Sequence, residues 1–376
     1  MACWIKLFHF PPLQLLHSQL LNSSTLNSST LKNPLIFISF VTPSGSSGLM
    51  KLRTTFDIPS FPSKISYKSK IFTMGSCFSG MLAEKLQQRK FNILDNPFGT
   101  IFNPVSMFQL LSQSLLDQQA DGDLVLDQQQ RSYHYGMHSS VSAENKTELL
   151  KKIVTLQALT KEFLAQSSHI VFSFGSAFVY ELKTNGKFVS NCHKQPQSLF
   201  DKRLLRLEEM LDHFKRFYEV LRRVNPSAVI VMTVSPVRHS KDGIPKNQLS
   251  KSLLRVLTHQ LGQDYEGLVY FPSYELMMDD LRDYRFYSED MLHPSPVAEN
   301  YIWEQFQNCY LDKDSMESAK QIAEINLALQ HRPFHPGSLA HIQFLQDLVQ
   351  RMERLTPEFD FSKEIADVKE KLGMYF

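Results

Sequence analysis

Short, nearly continuous apolar segments alternate with longer amphipathic ones from Lys70 onward, and this pattern limits the fold more than any other feature. The apolar segments are rich in β-branched and aromatic residues, as parallel strands covered on both faces must be; they span residues 70–74, 169–174, 228–234 and 268–271. Between them, the apolar spacing predicts helices, at 79–90, 147–165, 200–224 and 246–261. The alternation predicts an α/β fold, a three-layer α/β/α sandwich with a mainly parallel sheet.

The chain divides into three predicted regions. Residues 1–49 contain a tandem LNSST repeat and a Ser/Gly-rich run, and we expect a disordered leader there. Residues 50–310 form the α/β domain, with a polar insertion at 117–145 near the active face. Residues 311–376 are predicted to form a helical C-terminal extension, with helices at 312–330, 338–354 and 360–372.

Composition removes several classes of function. Forty basic and 38 acidic residues give a net charge of +2, which offers no support for a nucleic-acid partner. Four cysteines in 376 residues exclude a disulfide scaffold. No stretch reaches the roughly 18 apolar residues that span a bilayer, and no convincing signal peptide is found, so we expect a cytoplasmic protein. Without a phosphate-binding glycine motif or metal-ligand spacing, we predict neither cofactor nor metal.

Nucleophilic residues follow the first predicted strand, as Gly75-Ser76-Cys77. Ligands bind beyond the carboxyl ends of strands in open parallel sheets. Glycine permits a sharp turn into a helix, and the helix N-terminus would lower the pKa of a thiol placed there. The alternative is structural, with Ser76 capping the helix and Cys77 serving as a small buried apolar residue.

A candidate base with its orienting acid lies in Asp290-Met291-Leu292-His293. Ser295 and Pro296 predict a helix start directly afterwards, so Asp290 and His293 lie on one turn and can reach the same cleft. His293 would act as general base and Asp290 would orient it. The alternative is a partly exposed histidine paired locally.

Further polar residues follow other strands or lie near the cleft. Ser176 follows the second strand, and Arg238 follows the third, where it could bind an anionic group of a substrate. Asn191 and His193 come after a predicted hairpin. Each could equally be a turn or surface residue with its hydrogen bonds satisfied.

Several sequence blocks, taken in order between Lys51 and Tyr310, resemble the GSCFA-domain family. The blocks are Gly75-Ser76-Cys77-Phe78-Ser79, with Ser79 where the family name has Ala, residues 96–104, Asn191-Cys192-His193-Lys194, residues 233–238 and residues 290–294. The resemblance implies an SGNH/GDSL-type hydrolase with a flavodoxin-like fold. It further implies a nucleophile on a strand–helix turn, an oxyanion hole formed with glycine and asparagine, and a late Asp-x-x-His.

Transferred by position, the resemblance places Cys77 in the nucleophile register, or Ser76 if the motif slides by one. Gly99 matches the oxyanion glycine. The expected oxyanion asparagine is missing, and Ser176 or Asn191 could replace it.

The resemblance implies an ester hydrolase, with an acylated carbohydrate or another small ester as its substrate. Two alternatives remain. One is a glycan O-acyltransferase that uses the same residues, and the other is a non-catalytic glycan-binding module.

Overall fold

The structure, a computed structural model, describes residues 53–376, so the predicted leader at 1–49 lies outside the described residues. Its centre is a five-stranded parallel sheet with the strand order β11-β10-β6-β1-β2, which is the order of flavodoxin-like folds. Its strands are β1 (Lys70–Gly75), β2 (Asn92–Asp95), β6 (His169–Phe174), β10 (Val229–Val234) and β11 (Leu268–Tyr270). The predicted parallel sheet is therefore confirmed.

Alternate residues of each strand point to opposite faces of this sheet, and helices cover the apolar side chains on both faces. Phe72, Ile170 and Ile230 pack under α2 (Pro104–Leu115), α3 (Lys146–Gln166), α4 (Leu207–Val224) and α5 (Ile244–Asp264). Ile71, Val171 and Val231 pack under α1 (Cys77–Gln87) and α7 (Pro296–Tyr310). A short helix, α6 (Ser273–Glu275), follows β11. The three-layer α/β/α prediction is confirmed.

Two small antiparallel sheets supplement the sandwich. The insertion forms β3 (Val125–Gln128), β4 (Arg131–His134) and β5 (Ser142–Ala143). The second sheet consists of β7 (Phe178–Leu182), β8 (Phe188–Val189) and β9 (Phe200–Leu204). The prediction of a helix from residue 200 was therefore wrong over 200–204, where pairing with β7 holds the chain extended.

Three further helices follow the sandwich, as predicted: α8 (Lys313–Leu329), α9 (Leu339–Leu355) and α10 (Ser362–Gly373). They share a core of their own, which includes Ile325, Met352 and Phe361. Lys90, after α1, pairs with Glu364 at 2.7 Å, and Tyr67 stacks between Phe91 and Phe359. These contacts attach α10 to the sandwich, while the domain boundary at residue 310 stays a prediction.

A glycine determines how closely the two central strands approach at their carboxyl ends. Gly75 has a φ of 151°, and a Cβ built on it would lie 2.1 Å from the carbonyl oxygen of Ser173 in β6. The next amide, of Ser76, donates to that same oxygen at 2.9 Å. Only glycine fits this backbone contact, from which α1 begins.

None of the helices within residues 53–376 is long and apolar enough to cross a membrane.

We expect Phe108→Ala in α2 to lower the free energy of unfolding by about 3–5 kcal/mol. Phe108 is fully buried and its ring lies 5.2–5.9 Å from those of Phe172, Phe174, Phe214 and Phe217, so truncation leaves a cavity between sheet and helix. Urea denaturation measures the change. Phe334→Ala is the matched control, because that ring is 97% exposed and its loss should change stability little. Equal effects of the two substitutions would contradict the assigned core.

Candidate active site

A cavity of about 440 Å³ opens at the carboxyl ends of β1, β6 and β10. Five of the predicted site residues line it: Ser76, Cys77, Ser176, Arg238 and His293. They come from segments far apart in sequence, and the parallel sheet brings these segments to one edge. A larger cavity of about 730 Å³, between α2 and α4, contains none of the predicted site residues.

Ser76 and Cys77 occupy different environments at the start of α1. Ser76 is buried and caps the helix, since its Oγ accepts from the amide of Phe78 at 3.2 Å. The same Oγ lies 2.9 Å from the hydroxyl of Ser173. Cys77 is the first residue of the helix and its side chain is exposed to the cavity. The capping alternative therefore holds for Ser76, whereas Cys77 is not the buried apolar residue that this alternative assumed.

The thiol of Cys77 is not activated by its surroundings as the sequence suggested. Neighbouring protein atoms desolvate it and raise the pKa of Cys77 above the ordinary value, and its own backbone N–H offsets part of that rise. The expected lowering of this pKa by the helix N-terminus was wrong, because desolvation disfavours the thiolate more than the amide stabilises it. A base is therefore needed to ionise Cys77.

Asp290 and His293 form a hydrogen-bonded pair on the turn before α7. His293 Nδ1 lies 2.6 Å from Asp290 Oδ2, while Asp290 Oδ1 accepts from the amides of Leu292 and His293 at 2.9 and 3.0 Å. These bonds, first that from the His293 amide, lower the pKa of Asp290 to about 2. Asp290 is therefore ionised at neutral pH and fixes the imidazole.

His293 is not hydrogen-bonded to either candidate nucleophile among the described residues, although it shares a cavity with both. Catalytic hydrogen bonds are often long without substrate and shorten when it binds. His293 and Cys77 therefore line the same cavity without a direct hydrogen bond between them.

Ser176 borders the cavity after β6. Its amide donates to the carbonyl of Phe102 at 3.0 Å, and its Oγ accepts from the amide of Phe178 at 3.0 Å. The hydroxyl proton of Ser176 is still free to donate. Ser176 therefore fits the donor role that the sequence assigned to it.

Gly99 does not reach the cavity. Its amide donates to the carbonyl of Asn96 at 2.7 Å within a turn, and the space beside its Cα is filled by His138 of the insertion. The prediction that Gly99 supplies an oxyanion N–H was therefore wrong, because the turn already uses this donor.

Asn191 and His193 also lie away from the cavity and bind to the insertion instead. Asn191 Oδ1 accepts from the amide of His193 at 2.8 Å, and its Nδ2 contacts Ser139. His193 is buried with its Nε2 3.0 Å from the carbonyl of His134. Burial lowers the pKa of His193. Neither residue lines the cavity of Cys77 and His293, so their site roles stay predictions without support from the structure.

The sequence analysis missed several residues of the cavity wall. Phe102 and Asn103 precede α2, Phe178 and Tyr180 belong to β7, and Lys202 belongs to β9. Asn103 caps α2: its Oδ1 accepts from the amide of Ser106 at 2.8 Å, and one Nδ2 proton goes to the hydroxyl of Ser106 at 3.0 Å. Asn103-Pro104 is a helix-start signal that could have revealed this residue.

A buried lysine joins two strand ends beneath the cavity. Lys251 of α5 is fully buried, and its Nζ donates to the carbonyls of Gly175 and Ser235 at 2.8 and 2.7 Å. Both of those residues line the cavity. Burial lowers the pKa of Lys251 to about 7. The two acceptors match the two N–H donors of a neutral amine.

Within the described part of the chain, no three His, Cys, Asp or Glu side chains group closely enough to hold a metal ion.

The fold and this cavity define an α/β/α protein in which the strand–helix turn of Ser76 and Cys77 and the Asp290–His293 pair lie at one edge of the sheet. The chain belongs to the GSCFA family, whose model matches residues 70–306. A second model, GSCFA domain protein, C-terminal domain, matches residues 322–373, which include the second half of α8 and all of α9 and α10. No curated protein shows significant similarity to the chain.

Two solved structures have a distantly similar fold. One, a carbohydrate esterase family 3 from Talaromyces cellulolyticus, has 6% identity and a TM-score of 0.32, and the match covers 68% of this chain and 99% of that one. The other, a family two carbohydrate esterase from Clostridium thermocellum in complex with cellohexaose, has 10% identity and the same TM-score, with coverage of 72% and 67%.

We expect the stability of the protein to rise with pH above about 7 because of Lys251. Below pH 7 Lys251 is protonated in both the folded and the unfolded chain, so the full cost of burying its charge lowers the free energy of unfolding there. Between pH 7 and the ordinary lysine pKa of 10.5 the unfolded chain holds more protons than the folded one, and raising the pH favours folding. From pH 7 to about pH 9, the unfolding free energy of wild type should rise by about 2 kcal/mol relative to that of Lys251→Met.

Urea denaturation at each pH measures this difference. Lys246→Met, on the exposed surface of the same helix, is the control and should show no such slope. A constant difference between wild type and Lys251→Met would mean that Lys251 stays charged when folded.

Proposed function

We propose that the protein is an SGNH-type ester hydrolase that uses a thiol nucleophile, with Cys77 as nucleophile, His293 as general base and Asp290 as its orienting acid. One observation carries the proposal: an exposed thiol at a helix N-terminus shares a cavity with a histidine that a carboxylate fixes at 2.6 Å. The family resemblance implies a nucleophile on this strand–helix turn and a late Asp-x-x-His in the same order; position favours Cys77, whereas the serine nucleophile of the wider superfamily favours Ser76.

The hydrogen bond to Asp290 determines which imidazole nitrogen can act as base. Ionised Asp290 only accepts, so Nδ1 of His293 carries the proton of that bond and Nε2 is left with its lone pair. The pair thus places a base in the cavity, where the raised pKa of Cys77 makes one necessary.

The reaction takes two steps. His293 Nε2 removes the proton from Cys77, and Sγ attacks the ester carbonyl to form a tetrahedral oxyanion. The C–O bond then breaks, the leaving alcohol takes the proton from His293, and a thioester to Cys77 remains. Water, deprotonated by His293, attacks the thioester, releases the acid and restores the thiol.

Cys77 suits the nucleophile role better than Ser76. Ser76 is buried and its oxygen already caps α1, so attack by it would cost the cap. Cys77 is exposed to the cavity and does not cap the helix.

Three donors are candidates for the oxyanion hole. The amide of Cys77 is the first N–H of α1, where the helix dipole favours negative charge. The hydroxyl of Ser176 retains its proton for donation. Asn103 Nδ2 has a second proton beyond the one given to Ser106, and Asn103 lines the cavity. Asn103 therefore supplies an amide donor in place of the oxyanion asparagine that the sequence lacks.

An acylated carbohydrate is the substrate that we propose. The cavity has aromatic walls at Phe102, Phe178 and Tyr180, which offer flat apolar surface, and polar groups at few points. Pockets of this composition bind small organic ligands, with the polar groups setting orientation.

We expect Cys77→Ala to abolish hydrolysis of short p-nitrophenyl esters and acetylated sugars. His293→Ala should lower kcat by about 10²–10⁴-fold, since it removes the general base. Ser76→Ala should retain most activity. Cys192→Ala is the matched control for Cys77, since Cys192 is a free, partly exposed cysteine away from the cavity. Steady-state kinetics measure each effect.

Three outcomes would contradict parts of this proposal. Full activity in His293→Ala would refute the mechanism. Loss of activity in Ser76→Ala with activity kept in Cys77→Ala would make Ser76 the nucleophile. Glycan binding without turnover, unchanged in Cys77→Ala, would indicate a binding module instead.

We expect Asn103→Ser to lower kcat by about 10²–10³-fold, the typical cost of losing one oxyanion donor. Serine is as good a helix cap as asparagine, so the start of α2 should be preserved while the amide donor is lost. Kinetics with p-nitrophenyl acetate measure the loss, and thermal unfolding checks the fold. Asn145→Ser, at the corresponding cap of α3 away from the cavity, is the control. Unchanged kcat in Asn103→Ser would remove Asn103 from the oxyanion hole.

A further inference from the structure

The segment after β10 contributes two polar side chains to the cavity that the proposed reaction does not use. Arg238 and His239 both line the cavity that holds Cys77 and His293. The amide of Arg238 donates to the carbonyl of Leu292 at 3.1 Å, so this segment is bonded to the residue that precedes His293.

The guanidinium of Arg238 is held by stacking and has no carboxylate partner. It lies 4.1 Å from the ring centre of Tyr287 and 5.8 Å from that of Tyr284. Arg238 borders two cavities, and the carboxylates in their walls, Asp242 and Asp283, pair with Lys202 and Arg285. Nothing within residues 53–376 forms an ion pair with Arg238. Stacking leaves the N–H edge of the guanidinium available for an oxyanion.

His239 presents an unsatisfied nitrogen in the same wall. Its Nε2 is buried and has no hydrogen-bond partner, and no other buried side-chain nitrogen or oxygen of the described residues shares this condition. Its Nδ1 lies 3.8 Å from Asp242, beyond hydrogen-bond distance. Burial lowers the pKa of His239 to about 4, with a smaller contribution from the charge of nearby Lys251, so the ring is neutral. Buried polar atoms normally have hydrogen-bond partners, so this nitrogen is a candidate contact for a group bound in the cavity.

We infer that Arg238 and His239 form an anion-binding subsite, and that the ester cleaved here carries a carboxylate or phosphate group at one end. Arg238 donates to two oxygens of the anion, and His239 donates to it in the tautomer that carries the ring proton on Nε2. This inference rests on the proposed hydrolase function only in taking the anion to be part of the ester.

The charges of the cavity favour such a ligand. Its walls carry the cations Lys202, Arg238 and Lys241 and a single carboxylate, Asp242, which Lys202 neutralises. Asp283 borders only the adjoining cavity of about 220 Å³. An anion that enters beside Cys77 therefore meets unpaired positive charge and a free neutral N–H, in a partly apolar site where charge-assisted hydrogen bonds are strong.

Binding is tested without turnover, in Cys77→Ala protein. Inorganic phosphate and succinate are titrated separately, with Kd from calorimetry and the Nε2 signal of His239 from ¹⁵N NMR. We expect saturable binding of at least one probe that shifts the His239 signal, and the tighter probe identifies the anionic group. Adding Arg238→Met should weaken binding about 10- to 100-fold, the cost of hydrogen bonds to a charged group. Arg223→Met, which removes an exposed arginine at the end of α4 away from the cavity, is the matched control and should bind like the parent.

Two results would overturn the subsite. One is that neither probe shifts the His239 signal, and the other is that Arg238→Met binds as tightly as the parent. Arg238→Lys keeps the aliphatic chain and the positive charge but loses the planar guanidinium with its paired N–H donors, and it should bind with intermediate affinity. If thermal unfolding shows that Arg238→Met does not fold, the affinity of Arg238→Lys provides the test in its place.

Kinetics distinguish failure of the subsite from failure of the proposed reaction. We compare kcat/KM for mono-p-nitrophenyl succinate and p-nitrophenyl acetate. The anionic preference of wild type should fall at least tenfold in Arg238→Met and persist in Arg223→Met. Anion binding without cleavage of either ester would refute the hydrolase and leave the subsite standing. Cleavage without anionic preference or anion binding would refute the subsite alone.

Discussion

The backbone contact between Gly75 and Ser173 is the constraint on which the candidate site depends. A side chain at position 75 would collide with the carbonyl of Ser173, so glycine alone lets β1 end this close to β6. The amide of Ser76 then bonds to that carbonyl and α1 begins at Cys77. The thiol thus stands above the junction of the two central strands. Its position is set by the sheet rather than by a flexible loop.

The burial of Lys251 at the same edge of the sheet costs free energy. Burying an amine without a carboxylate is unfavourable, and here two carbonyls at the ends of β6 and β10 are its only partners among the described residues. The bonds tie Gly175 and Ser235 to one point of α5, beside the segment of Arg238 and His239. Proteins tolerate such local conflicts mostly where a site needs fixed geometry.

The sequence predicted what depends on local pattern. β1, β6, β10 and β11 are apolar on both sides, and Asp290 and His293 lie on a single turn, so each could be found without knowing the fold. β2 was missed because Asn92–Asp95 is short and only partly buried. The extended form of 200–204 depends on pairing with β7, which no local pattern reveals.

Roles that depend on distant contacts were harder to assign. Gly99 lies in a block that resembles the family, yet its amide is used by a turn that packs on His138. Asn191 and His193 are polar residues close together in the sequence, but they form hydrogen bonds with residues of the insertion. The pKa of Cys77 depends on the atoms that surround the folded helix start, and a motif does not contain that information.

The aromatic contact at Tyr67 bears on how the protein can be divided for experiments. Tyr67 stacks on Phe91 at 4.2 Å and meets Phe359 edge-on at 4.5 Å, while Lys90 lies over the ring of Phe361. A fragment cut after α7 would leave one side of Tyr67 facing water next to the edge strand β2. Exposed aromatic surface beside an open strand edge promotes self-association. The C-terminal helices thus act as a cover for the sandwich, and shortened versions of the chain would need a replacement for it.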